Sequence, residues 1–317
     1  MARVYIIDVT NRDGVQTAMI GLAKLQKTMV NWYLNEMGVF QSEFGFPFTH
    51  HETNYINANI ELSEMGVLAP IRLEGWARAV KKDVELSFQL VPKIKHLNLS
   101  ISTSRIMLDG KFMGKMDEDD VIKLMTEATD TAYKLGAETV GVNAEDASRT
   151  DMDYLIRYAK AAKEHGAKRI RYCDTLGVDD PATIYDRIKN IAKKTTMPVE
   201  LHCHNDLGMG VACSVAGAVG AIDGGQDAYI NTTINAVGER AGNADLLSVL
   251  LALKYGSGLR DRNLCPPETK LNKIWAFAKY ASYAFGIPIP VNQVGVGSNA
   301  FAHESGIHAD GALKNRR

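Results

Sequence analysis

Short β-branched or alternating apolar runs recur along the chain, and each is followed by a longer stretch with apolar residues at helical spacing. The runs that predict strands cover residues 4–9, 39–44, 70–75, 96–102, 139–144, 169–174, 199–204 and 228–234. Between them, sets such as Leu22, Leu25, Met29 and Trp32, or Val121, Leu124, Met125 and Ala128, predict helices with an apolar stripe. Gly38, Gly66, Gly136 and Gly166 read as left-handed helix stops. Asp117, Asp151 and Asp179 or Asp180 read as N-caps, the last ahead of Pro181 in a first turn. Eight successive strand-then-helix units predict an α/β fold, a (β/α)8 TIM barrel. A doubly wound open sheet is the competing arrangement. It would normally carry a Gly-rich phosphate turn after its first strand, and Asp8-Val9-Thr10-Asn11-Arg12-Asp13-Gly14 is not one. The pattern assigns residues 1–262 to the barrel. Residues 263–317 form a short helical extension, opened by Leu264-Cys265-Pro266-Pro267 and carrying Ile274, Phe277, Ala278 and Ala281 at helical spacing.

Composition narrows the class without naming a function. At 46% hydrophobic and 23% charged, the chain is neither disordered nor collagen-like. A formal net charge of -1 offers no global attraction to nucleic acid or an anionic membrane. No apolar run approaches the ~20 residues that span a bilayer. Val4-Tyr5-Ile6-Ile7 comes too early, and is too short, to read as a secretory leader. Cys173, Cys203, Cys213 and Cys265 are too sparse for a disulfide scaffold and match no zinc ribbon. The expectation is a cytoplasmic protein with neither nucleic acid nor membrane as partner.

The chemistry is written at the carboxyl ends of the strands, where a barrel of this kind builds its active site. Reading those ends in order yields Asp8, Arg12 and Asp13, then Glu43, Glu74, Ser100 and Ser102. Asn143, Glu145 and Asp146, then Asp174 and Thr175, come next, and Glu200, His202, His204, Asn205, Asp206, Asn231 and Asn235 complete the series. In His202-Cys203-His204 the two imidazoles project to one face, because strand side chains alternate. Glu200 shares that face, one step lower. Two imidazoles and a carboxylate suit a divalent ion with open positions for a substrate. A pair of histidines bonded to neighbours at a strand end is the plainer alternative, and the acids and amides converging from other strands favour the metal. Asp13 is the candidate third ligand, with Arg12 beside it to meet an oxyanion. Glu43 is a candidate for acid/base work or for fixing Arg12. Arg171 and Glu200 share inward parity on adjacent strands and predict an internal ion pair.

Six motifs in order carry a resemblance. They are Asp8-Val9-Thr10-Asn11-Arg12-Asp13-Gly14-Val15-Gln16, Glu43-Phe44-Gly45-Phe46-Pro47, Asp174-Thr175-Leu176-Gly177 and His202-Cys203-His204-Asn205-Asp206-Leu207-Gly208. Asn235-Ala236-Val237-Gly238-Glu239-Arg240-Ala241-Gly242-Asn243-Ala244 and His303-Glu304-Ser305-Gly306-Ile307-His308 complete the set. The series resembles the DRE-TIM metallolyase superfamily, in its isopropylmalate and homocitrate synthase branch. The first motif, together with Asn143-Ala144-Glu145-Asp146-Ala147-Ser148-Arg149-Thr150, is most similar to the Re-citrate synthases of anaerobic bacteria. Homocitrate synthases usually carry Arg-x-Ser near the end of the fifth strand for the distal carboxylate of 2-oxoglutarate. Here that stretch reads Gly141-Val142-Asn143, which favours the shorter oxaloacetate. Hydroxymethylglutaryl-CoA lyases resemble the chain at the first motif and at His-x-His, but use a Cys-bearing glycine loop that Gly238-Glu239-Arg240-Ala241-Gly242-Asn243 lacks.

The resemblance implies an acyltransferase joining acetyl-CoA to a 2-oxo diacid, with homocitrate synthase as the nearer alternative and a C–C lyase as the further one. It implies Asp13, His202, His204 and Asn235 as ligands of a divalent ion, Mn²⁺ first and Co²⁺, Zn²⁺ or Mg²⁺ after it. Arg12, Glu43 and His308 are the implied catalytic residues. Arg12, Gln16, Asn143, Thr175, Glu200 and His303 are expected around the substrate, with Arg78 or Asn143 nearest its second carboxylate. A homodimer is implied; members of this branch continue past the position of Arg317 into helical subdomains, so the expectation is either the catalytic part of such a protein or a short variant of it.

Overall fold

The computed structural model describes residues 2–314. Residues 315–317 of the expected extension lie outside the described residues. The chain alternates β1 (Val4–Asp8), α1 (Lys24–Met37), β2 (Gln41–Gly45), α2 (Thr53–Glu64), β3 (Arg72–Arg78), α3 (Lys81–Leu90) and β4 (His96–Ser102). It continues through α4 (Arg105–Gly110), α5 (Glu118–Lys134), β5 (Thr139–Glu145), α6 (Met152–Glu164), β6 (Arg169–Asp174), α7 (Pro181–Thr195) and β7 (Val199–Cys203). The last elements are α8 (Gly210–Asp223), β8 (Ala228–Thr232), α9 (Leu246–Tyr255), α10 (Ile274–Phe285) and α11 (Gly306–Lys314). All eight strands are parallel and hydrogen-bonded in sequence order, and β8 closes onto β1 with Val4 opposite Ala228. The TIM barrel read from the periodicity is the observed fold.

Local signals acted as expected at the helix ends. The Asp117, Asp151 and Asp180 carboxylates each accept two first-turn N–H groups of α5, α6 and α7. Gly38 ends α1 at φ 76°, where a Cβ would also lie 2.3 Å from the Glu268 carbonyl oxygen. Strand limits moved more: β2 and β3 each begin two residues later than the apolar runs, and β3 runs on to Arg78. Below the barrel Phe40 packs with Tyr5 and Tyr229, ring centroids 4.8 and 5.8 Å away, and its carbonyl oxygen accepts the Arg72 N–H.

One face prediction is overturned. Leu25 is exposed, and α1 instead buries Lys27, Val30, Asn31, Leu34 and Met37. Two polar residues belong to that buried face because the wall behind them is polar. Lys27 pairs with Glu52, and Asn31 bonds Asn11, Ser42, Tyr55 and Asn59. Both carboxamide atoms of Asn31 and the Lys27 ammonium find partners, which makes their burial tolerable, although the Asn11 oxygen has none.

The outer faces of the strands form the apolar core, with Leu97, Val140, Ile170, Leu201 and Ile230 essentially inaccessible. The barrel interior is different. Such interiors are usually filled by Val, Ile and Leu, but above the Tyr5–Tyr229 floor this one holds Glu43, Glu74, Arg169, Arg171 and Glu200, all buried. After α9 the chain crosses to α10, where Phe277 stacks on Tyr33 of α1 at 5.4 Å. Among the described residues no helix is long and apolar enough to cross a membrane.

Candidate metal centre and active-site cleft

The first motif follows β1 as a compact turn. The N–H groups of Arg12, Asp13 and Gly14 all converge on the Val9 carbonyl oxygen. Thr10 Oγ1 accepts the Ile234 N–H, which fastens the turn to the chain leaving β8. A side chain at Gly14 would meet Val237 Cγ2 at 3.0 Å, so glycine permits that approach. The turn delivers Arg12 and Asp13 to the barrel mouth, almost wholly buried.

Across the mouth, the alternation of β7 brings His202 and His204 to the same point. Donor atoms of Asp13, His202 and His204 all lie within 4.8 Å of one another. The Asp13 Oδ2 atom is 3.7 Å from His202 Nε2 and 3.9 Å from His204 Nε2. Those separations are too long for hydrogen bonds and suit donors arranged around one ion. Burial lowers both imidazoles from their ordinary range against the pull of Asp13, which keeps them neutral. Burial opposes charge on Asp13 as well, but the Arg12 guanidinium beside it holds its carboxyl well below the usual range. Neutral imidazoles and an ionised carboxylate are the protonation states a divalent cation requires.

Asn235 is not the amide at this corner. Its Nδ2 donates to the Ala278 carbonyl oxygen at 3.0 Å, tying the barrel mouth to α10. Asn243 takes the place instead, with Nδ2 donating to Asp13 Oδ2 at 2.7 Å and Oδ1 buried without a partner. The connection after β8 folds back so that Asn243 bridges to His204, and Asn235, Ala236 and Arg240 adopt positive φ on the way. Gly238 must lack a side chain, since a Cβ there would fall 1.8 Å from Asn243 Oδ1. Arg240 steadies the loop through both Asp206 oxygens and the Thr175 carbonyl oxygen. Asn243 stood in the quoted motif, but its eight-residue offset from Asn235 carries no periodicity that distinguishes the two.

Arg12 is gripped on two sides: Nε donates to Glu43, and Nη1 donates to Asp13 Oδ1 at 2.5 Å. Trp76 lies beside its guanidinium at 5.6 Å. The other Glu43 oxygen accepts from Arg171 at 2.5 Å, so Glu43 is committed to arginines and holds Arg12 in place. The predicted Arg171–Glu200 pair is present at 2.6 Å. Glu200 itself is fully buried and bound by Arg169, Arg171 and Asn231, which removes it from the expected substrate contacts. Against burial, Arg171 and Arg169 hold its carboxyl down at about 2.

A cleft of about 330 Å³ opens over this corner, and Arg12, Gln16, Asn143 and Thr175 line it together with Arg78 and Lys111. Thr175 Oγ1 accepts the Asp146 N–H, and the Asn143 carboxamide oxygen is buried without a partner. Arg78 is held by both Asp83 oxygens and stays largely exposed. His303 and His308 are not brought to the cleft of this chain. They sit on the exposed last segment, their rings 6.2 Å apart, and α11 buries no residue to anchor it. Gly141 is deeper than a strand end: a Cβ there would lie 2.7 Å from Asn98 Nδ2 and 3.5 Å from the Arg169 guanidinium.

The sequence profile of the HMGL-like family matches residues 3–280. A citrate (Re)-synthase of Dehalococcoides mccartyi is 59% identical over 314 residues, spanning 99% of this chain and 76% of that one. 2-Isopropylmalate synthase 2 of Caldanaerobacter subterraneus subsp. tengcongensis is 41% identical, spanning 98% and 76%. Among solved structures, the HMG-CoA lyase of Bacillus subtilis superposes with a TM-score of 0.69 at 18% identity, covering 92% of this chain and 96% of that one, a likeness of fold. With its barrel and its Arg12-Asp13 corner facing His202-Cys203-His204, the chain belongs to the HMGL-like family.

Proposed function

We propose that the chain is a citrate (Re)-synthase, an acyltransferase that condenses acetyl-CoA with oxaloacetate and water to give citrate and CoA. The observation that carries this reading is 59% identity to a citrate (Re)-synthase over 99% of the chain, well above the 41% shared with an isopropylmalate synthase.

The donor set of Asp13, His202 and His204, with the Asn243 oxygen beside it, fits a hard or borderline divalent cation, and Mn²⁺ is the ion we assign. Bound there, it would act as a Lewis acid on the keto oxygen of the oxo acid. The chain's own residues do the remaining work. Arg12 is fixed through Nε and Nη1, which leaves Nη2 for the oxygen that gains charge as the acetyl carbon attacks. A donor held before the reaction needs no reorganisation when that charge appears. Thr175 and Gln16 border the cleft where the first carboxylate would sit. Asn143 and Arg78 are our choice for the second carboxylate, on the β3–β5 side of the cleft.

The cleft end of β5 supports the shorter substrate. It presents Asn143 and Glu145 to the cleft and no arginine for the distal carboxylate of a longer keto acid. The test is CoA release from acetyl-CoA with oxaloacetate or 2-oxoglutarate under saturating Mn²⁺. Oxaloacetate is expected to be preferred strongly in kcat/KM, and a preference for 2-oxoglutarate would make the enzyme a homocitrate synthase.

A further inference from the structure

The buried charges inside the barrel link the two halves of the candidate site through one continuous hydrogen-bonded chain. From Arg12 the path runs to Glu43, then to Arg171 at 2.5 Å, to Glu200 at 2.6 Å, to Asn231 at 2.7 Å and to His202 Nδ1 at 3.0 Å. At its other end Arg12 Nη1 donates to Asp13, whose second oxygen faces His202 Nε2 across 3.7 Å, where no hydrogen bond forms. Every link up to Asn231 has its donor decided by chemistry, since guanidinium groups only donate and carboxylates only accept.

That one-way sense has a consequence at the far end. Glu200 Oε1 can only accept, so the Asn231 carboxamide must turn its NH₂ toward it. Its oxygen then faces His202 Nδ1, which must carry the proton. The lone pair is left on Nε2, the atom that points at Asp13. The reverse amide orientation would set two oxygens 2.7 Å apart without a proton between them. His204 has no such partner, and its Nδ1 is buried and unpaired.

We infer that Glu200 and Asn231 are positioning residues, which lock His202 in the Nδ1–H tautomer and so present Nε2 for a divalent cation. The same carboxylate anchors Arg171, which holds Glu43 against Arg12, so one buried acid orders both the ion's ligand and the oxyanion donor. This rests on the metal reading of Asp13, His202 and His204, yet the tautomer can be measured without any metal.

Histidine ¹⁵N NMR of the metal-free full chain, assigned by comparison with His202→Gln, reads the tautomer directly. His202 is expected as a single neutral species with the proton on Nδ1, while His204 is free of that constraint. Asn231→Ala removes the acceptor while leaving a small side chain, and Glu200→Gln removes the charge that orients it. Mn²⁺ affinity is expected to fall about 10- to 100-fold in each, the usual effect of losing a ligand's supporting hydrogen bond. The double variant should fall no further than the worse single one. An Nε2–H tautomer of His202 in the wild-type chain would overturn the inference even if neither variant folded. So would wild-type Mn²⁺ affinity in folded Asn231→Ala. Failure of Mn²⁺ to bind the wild-type chain would instead sink the metal reading and leave the tautomer result standing.

Discussion

Asn243 Nδ2 donates to Asp13 Oδ2 across 2.7 Å, joining residues 230 positions apart in the chain. The contact fixes which Asp13 oxygen faces the two imidazoles and sets a buried carboxamide oxygen at the same corner.

Asn243→Ala therefore separates from Asn235→Ala in a Mn²⁺ titration. The former is expected to weaken binding about 10- to 100-fold. The latter should leave the affinity unchanged and cost about 1 kcal/mol of stability, through the lost bond to the Ala278 carbonyl. His202→Ala removes a ligand outright and should abolish Mn²⁺-dependent turnover while leaving the far-UV circular dichroism of the barrel intact.

Arg12→Ala should lower kcat by roughly 10²–10³ with the metal retained, as expected for an oxyanion donor. Single-turnover kinetics with acetyl-CoA and oxaloacetate, beside Mn²⁺ binding, check both halves. Near-normal turnover with bound metal would remove Arg12 from the chemistry.

Arg171 is wholly buried and neutralises parts of both Glu43 and Glu200. Arg171→Leu strands those carboxylates and should destabilise the chain by about 3–5 kcal/mol, read in urea unfolding. The loss should be largest at neutral pH and shrink on acidification, as the stranded acids take up protons.

Asp8 supplies a pH test away from the metal corner. Burial pushes its carboxyl up to about 7 from 3.8, and Oδ2 has no partner, although Thr10 N–H bonds Oδ1. A raised folded-state value means the folded chain holds more protons than the unfolded one between those two pH values. The Asp8 contribution to stability is full below about 4 and is lost as pH rises through about 7. Asp8→Asn removes this slope, so the difference in Tm between variant and wild type should move in favour of the variant from pH 4 to pH 8. A constant difference across that range would show that Asp8 is ionised throughout.

Features that depend on neighbours in sequence were legible before folding. Alternation alone put His202 and His204 on one face, short-range capping chemistry marked Asp117, Asp151 and the pair Asp179 or Asp180, of which Asp180 is the cap, and the repeat of strand and helix specified the closed barrel. Arg171 and Glu200 could be paired for the same reason, because inward parity on adjacent parallel strands leaves little choice. What only the tertiary structure decided depends on contacts between distant segments. The path of the loop after β8 selected Asn243 over Asn235, and the polar wall behind α1 buried Lys27 and Asn31 while leaving Leu25 in solvent. The second arginine on β6 occupies the other Glu200 oxygen and so keeps this inward-facing acid from substrate. The period of a strand or helix says which residues share a face, but long-range packing alone decides what that face meets.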